Sequence, residues 1–187
     1  NQDFTGMRTL AQAIPLAQNL TVLDISSNGL GPKGADLLAS AVKFSSSMKK
    51  LIIFKNNLGA EGIGIITSAV EGKEISLCGA EPGQTELDLS KQGLGPDDAK
   101  IIAWELSAGF FTTSMNKLNV LSNSIGDEGY EILTKVAEEK GILTLVGFDE
   151  GQTEADLSNK RLGPIDAKLI ARELTTGFVS TSLTSLK

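Results

Sequence analysis

The side chains that carry most enzymatic chemistry are scarce in this chain. It has no histidine, so neither a histidine-based catalytic triad nor an imidazole metal site can be assembled. Cys78 is the single cysteine; it has no histidine to activate it as a nucleophile and no second thiol for an internal disulfide. The acidic residues are numerous, but their positions indicate no converging acid–base pair. We therefore predict a protein that is not an enzyme and holds no cofactor.

One glycine-rich segment imitates a phosphate-binding loop. Gly59-Ala-Glu-Gly62-Ile-Gly64 has the glycines but lacks the Lys-Ser/Thr that such a loop uses to bind phosphate and its metal ion. It also falls where a recurring pattern, described below, already requires a turn. We interpret it as structural.

The bulk composition excludes two classes of partner. A net charge of −6 and a pI of about 4.8 argue against nucleic acid, because phosphate binding needs a clustered basic surface. No apolar run approaches the roughly 18 residues of a membrane span, so membrane insertion is not expected. A lone cysteine is typical of the reducing cytoplasm, and we predict an intracellular location.

A nine-residue pattern of the form L-x-L-x-x-N-x-L-G recurs five times. It occupies residues 23–31, 51–59, 87–95, 118–126 and 155–163. A fixed-period repeat predicts a solenoid, in which each strand–turn–helix unit buries its apolar side only against its neighbours. The amide of the asparagine can satisfy main-chain groups where the chain leaves the strand. This turn position holds Asn28, Asn56, Gln92, Asn123 and Lys160, and the lysine cannot accept a hydrogen bond.

The phrases Asn28-Gly-Leu-Gly-Pro-Lys-Gly34 and Asn123-Ser-Ile-Gly-Asp-Glu-Gly129 closely resemble the ribonuclease-inhibitor type of leucine-rich repeat. The resemblance implies an α/β solenoid shaped as a horseshoe, with a parallel sheet on the concave face and helices on the convex face. It covers about five full repeats with a partial unit at each end. Relatives of this type include nuclease inhibitors, sensor regions of NOD-like receptors, tropomodulins and the GTPase activator of Ran. What they share is binding of other proteins.

The repeats indicate one array over residues 1–187. Residues 6–14 align with the helix residues 34–42, and residues 183–187 open a sixth strand, so the array begins and ends within a repeat. Solenoids normally carry polar capping units at their ends. We expect a fragment of a longer repeat protein that can self-associate through its uncapped ends.

A longer period of 68 residues is superimposed on the repeats. Residues 83–118 match residues 151–186 at 22 of 36 positions. Each copy follows a strand-like segment, Ile75-Ser-Leu-Cys-Gly79 or Leu143-Thr-Leu-Val-Gly147. The gap from this segment to the next strand is too short for a helical crossover. We predict a short additional strand followed by a glycine-containing turn.

The predicted concave face holds alternating charges and a few apolar side chains. Lys50, Glu86, Lys117 and Glu154 occupy the same position in successive strands, so they form either a self-neutralising ladder or a charged docking strip. Large apolar groups on a polar sheet face indicate a contact site, unless the inserted segments cover them. On that basis the candidate partner-binding residues are Lys50, Ile52, Phe54, Glu86, Lys117, Leu121 and Glu154.

Trp104 is a further candidate, on the convex side. It lies off the apolar stripe of its helix, and its counterpart one 68-residue period later is Arg172. A position that accepts arginine is normally solvated, which predicts an exposed Trp104; contact with a neighbouring helix is the alternative.

These features favour a non-enzymatic scaffold that binds another protein. Two alternatives remain open at this point. One is a regulator of another enzyme, either an inhibitor or a GTPase activator acting through a surface arginine such as Arg161. The other is a structural subunit of a large assembly.

Overall fold

The chain alternates short strands with helices, as the repeats predict. A computed structural model describes residues 3–108, 114–176 and 179–187. Its helices are α1 (Thr5–Ala13), α2 (Gly31–Lys43), α3 (Gly59–Val70), α4 (Pro96–Ala108), α5 (Gly126–Lys140) and α6 (Pro164–Thr175), with a 3-10 turn at Ile14–Leu16. Its strands are β1 (Val22–Asp24), β2 (Lys50–Ile52), β3 (Glu86–Asp88), β4 (Lys117–Asn119), β5 (Glu154–Ala155) and β6 (Ser185–Leu186). The predicted α/β class and the strand–helix repeat are confirmed.

Each helix begins where the repeat predicts a start. Pro96 and Pro164 are the first residues of α4 and α6, where a missing N–H costs nothing. Acidic residues occupy the first turns of α4 and α5, Asp97, Asp98, Asp127 and Glu128, close to the positive end of the helix dipole. Proline and the acidic residues therefore act together to set the start of the helix.

The core lies between the strands and the helices. Leu51 and Leu118, the central residues of β2 and β4, are fully buried, as are Leu38 of α2 and Leu133 of α5. Neighbouring helices approach closely enough to require a glycine: a Cβ on Gly129 of α5 would stand 2.9 Å from the Cβ of Ala99 in α4. Burial of the leucine ladder between the two layers is the main source of stability in such a stack.

The strands form three parallel pairs. β1 pairs with β2, β3 with β4 and β5 with β6, with Leu23 opposite Leu51 and Leu87 opposite Leu118. The segments inserted ahead of β3 and β5 account for the interruptions. We name residues 75–85 insert 1 and residues 143–153 insert 2.

Both inserts occupy the far edge of a strand pair. The main-chain N–H of Leu51 donates to the carbonyl of Ser76 at 2.8 Å, and the N–H of Leu118 donates to the carbonyl of Thr144 at 3.0 Å. Lys50 and Ser76 therefore form an isolated parallel β-bridge, and Lys117 and Thr144 form a second one. The predicted additional strand is present only as isolated bridges, because the chain turns away at Gly79 and Gly147 with positive φ angles.

No helix within the described ranges is long and apolar enough to cross a membrane.

Candidate binding face on the sheet side

The inserts pass over the middle of β2 and β4 on the side of the sheet that faces away from the helices. A Cβ built on Gly79 would lie 3.5 Å from Cδ1 of Ile52, and one built on Gly147 would lie 3.0 Å from Cβ of Asn119. The contact at Gly147 leaves little room for a Cβ, and both positions have a positive φ angle that favours glycine. Ile52 is therefore partly covered by the chain itself.

Phe54 and Leu121 are buried, with 3% and 2% of their surface exposed. The prediction that these side chains form an exposed apolar cluster is wrong. The inserts pass on the same side of the sheet, and their residues Ala80 and Phe148, which correspond across the 68-residue period, are buried as well. Phe54 and Leu121 thus belong to the hydrophobic core and are not available as surface contacts.

The predicted ladder of alternating charges is broken at each insert. The Nζ of Lys117 lies 3.5 Å from Glu86 on the neighbouring strand, as expected, and also 2.5 Å from Asp149 of insert 2. The Nζ of Lys50 lies 2.5 Å from Glu81 of insert 1 rather than beside Glu86. Asp149 and Glu81 correspond across the period, so each insert carries its own carboxylate to the lysine of the preceding strand. The hydrogen bond to Asp149 raises the pKa of Lys117.

A glutamine fixes the shape of both inserts in the same way. The Oε1 of Gln84 accepts a hydrogen bond from the N–H of Glu81 at 2.8 Å, and its Nε2 donates to the carbonyl of Glu86. Gln152 makes the equivalent bonds to the N–H of Asp149 and the carbonyl of Glu154, at 2.9 and 2.7 Å. The Gly-Gln-Thr-Glu motif is therefore a loop clamp, and it presents one loop geometry at two places on the sheet side.

A row of carboxylates occupies the middle position of the uncovered strands. Asp24, Asp88 and Asp156 each accept the main-chain N–H of the serine two residues later at 2.9 Å. Hydrogen bonds from the serines hold the pKa of Asp24 and of Asp156 below its ordinary value. All three side chains are exposed.

The turn asparagines bond main-chain groups at the strand exits, as predicted, in all three units that have one, and two of them also link neighbouring units. The Oδ1 of Asn56 accepts the N–H of Asn28 at 2.9 Å, and its Nδ2 donates to the carbonyls of Ile25 and Ile53, both at 2.9 Å. Asn123 repeats this arrangement, with its Oδ1 accepting the N–H of Gln92 at 3.1 Å. These two amides therefore join each strand-exit turn to the preceding one. Gln92 and Lys160 contribute main-chain groups to the links between turns. The N–H of Gln92 donates to Asn123, and the carbonyl of Lys160 accepts the hydroxyl of Ser122 at 2.8 Å.

Two buried aspartates connect the strand pairs to the helices that follow. Asp98 of α4 accepts the N–H of Lys55 at 2.8 Å, and Asp166 of α6 accepts the N–H of Ser122 at 2.7 Å. Asp98 lies in the first turn of α4, close to the positive end of the helix dipole. Its carboxylate also caps the turn after β2, and burial raises its pKa.

Two buried glutamates, one on α4 and one on α6, anchor the inserts. Glu105 accepts the N–H groups of Leu77 and Cys78, both at 2.7 Å, and the hydroxyl of Ser76 at 2.5 Å. Glu173 accepts the N–H of Leu145 at 2.9 Å. Sequence reasoning missed this role. The sequence did contain a signal for it. In both copies of the 68-residue period, a glutamate lies on the apolar stripe of the helix, seven residues after the buried aspartate.

Burial raises the pKa of Glu173 above its ordinary value of 4.5. Protonation is therefore favoured in the folded state, so the wild type should lose unfolding free energy as the pH rises from 4.5 through the folded-state pKa. Glu173→Gln removes this titration. We expect the unfolding free energy of the wild type, measured relative to Glu173→Gln by urea denaturation, to fall over that interval and to level off above it. A difference that is constant with pH would contradict the raised pKa.

Trp104 is partly buried, not an isolated solvated side chain. It lines a cavity of about 370 Å³ together with the end of α3 and the turn that follows, at Val70, Glu71, Gly72 and Lys73. The reasoning from Arg172 also fails, because only 11% of that side chain is exposed: it lies 3.6 Å from Glu138 and 3.4 Å from Glu173. An arginine was accepted here because carboxylates surround it. The alternative to an exposed side chain was contact with a neighbouring helix. That alternative describes both Trp104, which lies beside the end of α3, and Arg172, which lies beside Glu138 of α5.

Cys78 has no nucleophilic character in this setting. Its side chain is buried, and burial together with the nearby Glu105 carboxylate raises the pKa of the thiol well above its ordinary value. Among the residues that the structure describes, no group of three or more histidine, cysteine or acidic side chains is placed to hold a metal ion.

Comparison with known proteins identifies one of the repeating units. Residues 17–39 match the family described as Leucine Rich repeat. They comprise the turn before β1, the strand itself, the turn at Asn28 and most of α2, which is one strand–turn–helix unit. The curated proteins contain no match to the chain. The match is thus to a leucine-rich repeat, and the other units share its strand–helix order in the structure.

Proposed function

We propose that this chain is a non-enzymatic module that binds another protein through the sheet side. The leucine-rich repeat match supports this class of function, since such repeats generally serve protein–protein interaction. Among the described residues on the sheet side, no nucleophile, base and oxyanion site come together.

The observation that carries the proposal is the duplication of one loop surface. Insert 1 and insert 2 have the same glutamine clamp, the same carboxylate–lysine pair and an exposed glutamate, Glu86 or Glu154, at the start of the next strand. Two equivalent contacts on one partner gain affinity through effective concentration. The revised candidate residues are Lys50, Ile52, Glu86, Lys117 and Glu154, without the buried Phe54 and Leu121.

Replacing Glu86 and Glu154 by glutamine tests the proposal. Each single change should weaken binding by less than about tenfold, and the double change should weaken it by about 100-fold, because loss of both contacts also removes the gain from linkage. The measurement is the affinity for the protein that the wild-type chain captures from native extract.

The matched control is Glu131→Gln with Glu139→Gln, two exposed acidic side chains on α5. It removes the same charge from the helix side and should leave the affinity unchanged. If none of the three sheet-side variants alters binding, the sheet side is not the contact surface and the proposal is wrong.

A further inference from the structure

We propose that the sheet face docks a basic polypeptide segment that carries an apolar side chain beside its lysines or arginines. This inference rests on the proposed function and deepens it by naming the chemistry of the partner. The sheet face is defined here as the side of the strands and inserts that faces away from the helices.

The sheet face carries a large excess of negative charge. Its charged side chains are three lysines and eight carboxylates: Lys50, Lys117, Lys187, Asp24, Glu81, Glu86, Asp88, Asp149, Glu150, Glu154 and Asp156. Lys187 belongs to this face because it directly follows Leu186 of β6 and lies opposite Asp156. Eight carboxylates against three lysines leave an excess of negative charge on one side, where it attracts positive charge.

Lys50 and Lys117, the lysines beside the inserts, do not offset this field at the surface. Only 18% of the Lys50 side chain and 21% of the Lys117 side chain are exposed, whereas 62–73% of the paired Glu81, Glu86 and Asp149 is exposed. Carboxylate oxygens therefore form the accessible layer above each ammonium group. A partner that approaches this face meets negative charge first.

Lysines at the strand exits set the polarity of the face. Lys55 follows β2 and Lys160 follows β5, and these side chains help to lower the pKa of Asp24 and of Asp156 respectively. The opposite margin, where the strands start, holds Glu81, Glu86, Asp149, Glu150 and Glu154. The basic part of the partner is accordingly expected along the strand starts, away from Lys55 and Lys160.

Two exposed apolar side chains lie at that same margin. Val22, at the start of β1, is 48% exposed, and Leu143, at the start of insert 2, is 45% exposed. The N–H of Leu143 donates to the carbonyl of Asn116, directly before β4, which places it beside the acidic loops. Apolar contact within a charged surround is typical of protein interfaces and not of sites for small cations. The combination favours a basic peptide segment over a polyamine or a metal ion.

The test uses a short fluorescein-labelled peptide of arginine, leucine and glycine, and the same peptide with glutamate in place of arginine. The sheet-face variant combines Glu81→Gln, Glu86→Gln, Glu150→Gln and Glu154→Gln, which lie along the strand starts. Gln84 and Gln152 bond only main-chain groups of Glu81, Glu86 and Glu154, so these changes leave the loop clamps in place. The matched variant combines Asp36→Asn, Glu61→Gln, Glu131→Gln and Glu139→Gln on the helices, which changes the net charge by the same amount.

The arginine peptide should bind the wild type at low ionic strength, and the glutamate peptide should not. The sheet-face variant should bind at least about tenfold more weakly, whereas the helix variant should stay within about twofold of the wild type. Val22→Ser with Leu143→Ser should also weaken binding, and this loss should persist at physiological ionic strength because it does not depend on charge.

Three results would overturn the inference: no binding by the wild type, equal weakening by both charge variants, or displacement of the peptide by spermidine at equal charge concentration. The Glu86 and Glu154 experiment separates these failures from failure of the proposed function. If that double variant loses the captured partner while the arginine peptide does not bind, the sheet face still binds a protein, but not through basic chemistry.

Discussion

Replacing Phe54 with alanine should lower the free energy of unfolding by about 3–5 kcal/mol, the range typical of a phenylalanine removed from a core. The side chain is 3% exposed and belongs to the same buried cluster as its neighbour Ile53. Truncation removes its transfer free energy and leaves a cavity that the surrounding core can fill only in part. Chemical denaturation monitored by circular dichroism measures the change.

Ser90→Ala provides the matched control, because Ser90 occupies the corresponding position after β3 and is not buried. It should change the unfolding free energy by no more than about 0.5 kcal/mol. A Phe54→Ala protein with wild-type stability would show that the side chain is accessible, and would restore it as a candidate contact residue. Leu121→Ala, after β4, should behave like Phe54→Ala and cost about 2–5 kcal/mol.

Replacing Asn56 with alanine should lower the unfolding free energy by about 2–4 kcal/mol. The side chain is 1% exposed, and its Oδ1 accepts the N–H groups of Asn28 and Leu30 while its Nδ2 donates to the carbonyls of Ile25 and Ile53. Alanine removes the partner of the N–H groups of Asn28 and Leu30 and of the carbonyl of Ile53, while the carbonyl of Ile25 keeps its bond from Asn28; the loss is about 1–3 kcal/mol for each group that water cannot reach. Urea denaturation gives the total loss, and hydrogen exchange at Leu30 reports the local loss.

Asn28→Ala is the control, since it removes the same amide from the same position of the preceding unit. Asn28 is exposed, and its Nδ2 donates only within its own turn, to the carbonyls of Ile25 and Ser26 at 3.0 and 2.9 Å. Its loss should cost about 1 kcal/mol or less, because water can replace these bonds. Equal effects of the two substitutions would show that the link between turns contributes nothing.

Asn56 and Asn123 show what local pattern can predict. Each amide lies at a fixed offset from a strand, and its partners belong to the same turn or to the equivalent turn one unit away. A period in the sequence therefore specifies both ends of these hydrogen bonds. The same reasoning holds for the prolines that start α4 and α6.

The repeat pattern does not predict the partners of Asp98 and Glu105, or those of the corresponding Asp166 and Glu173. Their partners are main-chain groups of a preceding turn or insert, 27 to 44 residues away. A carboxylate on an apolar stripe has two interpretations, a solvated helix start or a buried cap, and only the tertiary contact distinguishes them. Repetition of the glutamate after 68 residues marked the position without revealing its partner.

The sequence by itself determined the repeating unit, the order of strands and helices, the turn amides and the two inserts, because each depends on residues close together in the chain or separated by the period. Tertiary structure decided the exposure of Phe54 and Leu121, the carboxylate partners of Lys50 and Lys117, and the surroundings of Arg172. These depend on where an insert lies in space relative to strands of other units. The positive φ angles at Gly79 and Gly147 turn each insert over β2 or β4, and the period of the sequence does not specify such packing between separate units.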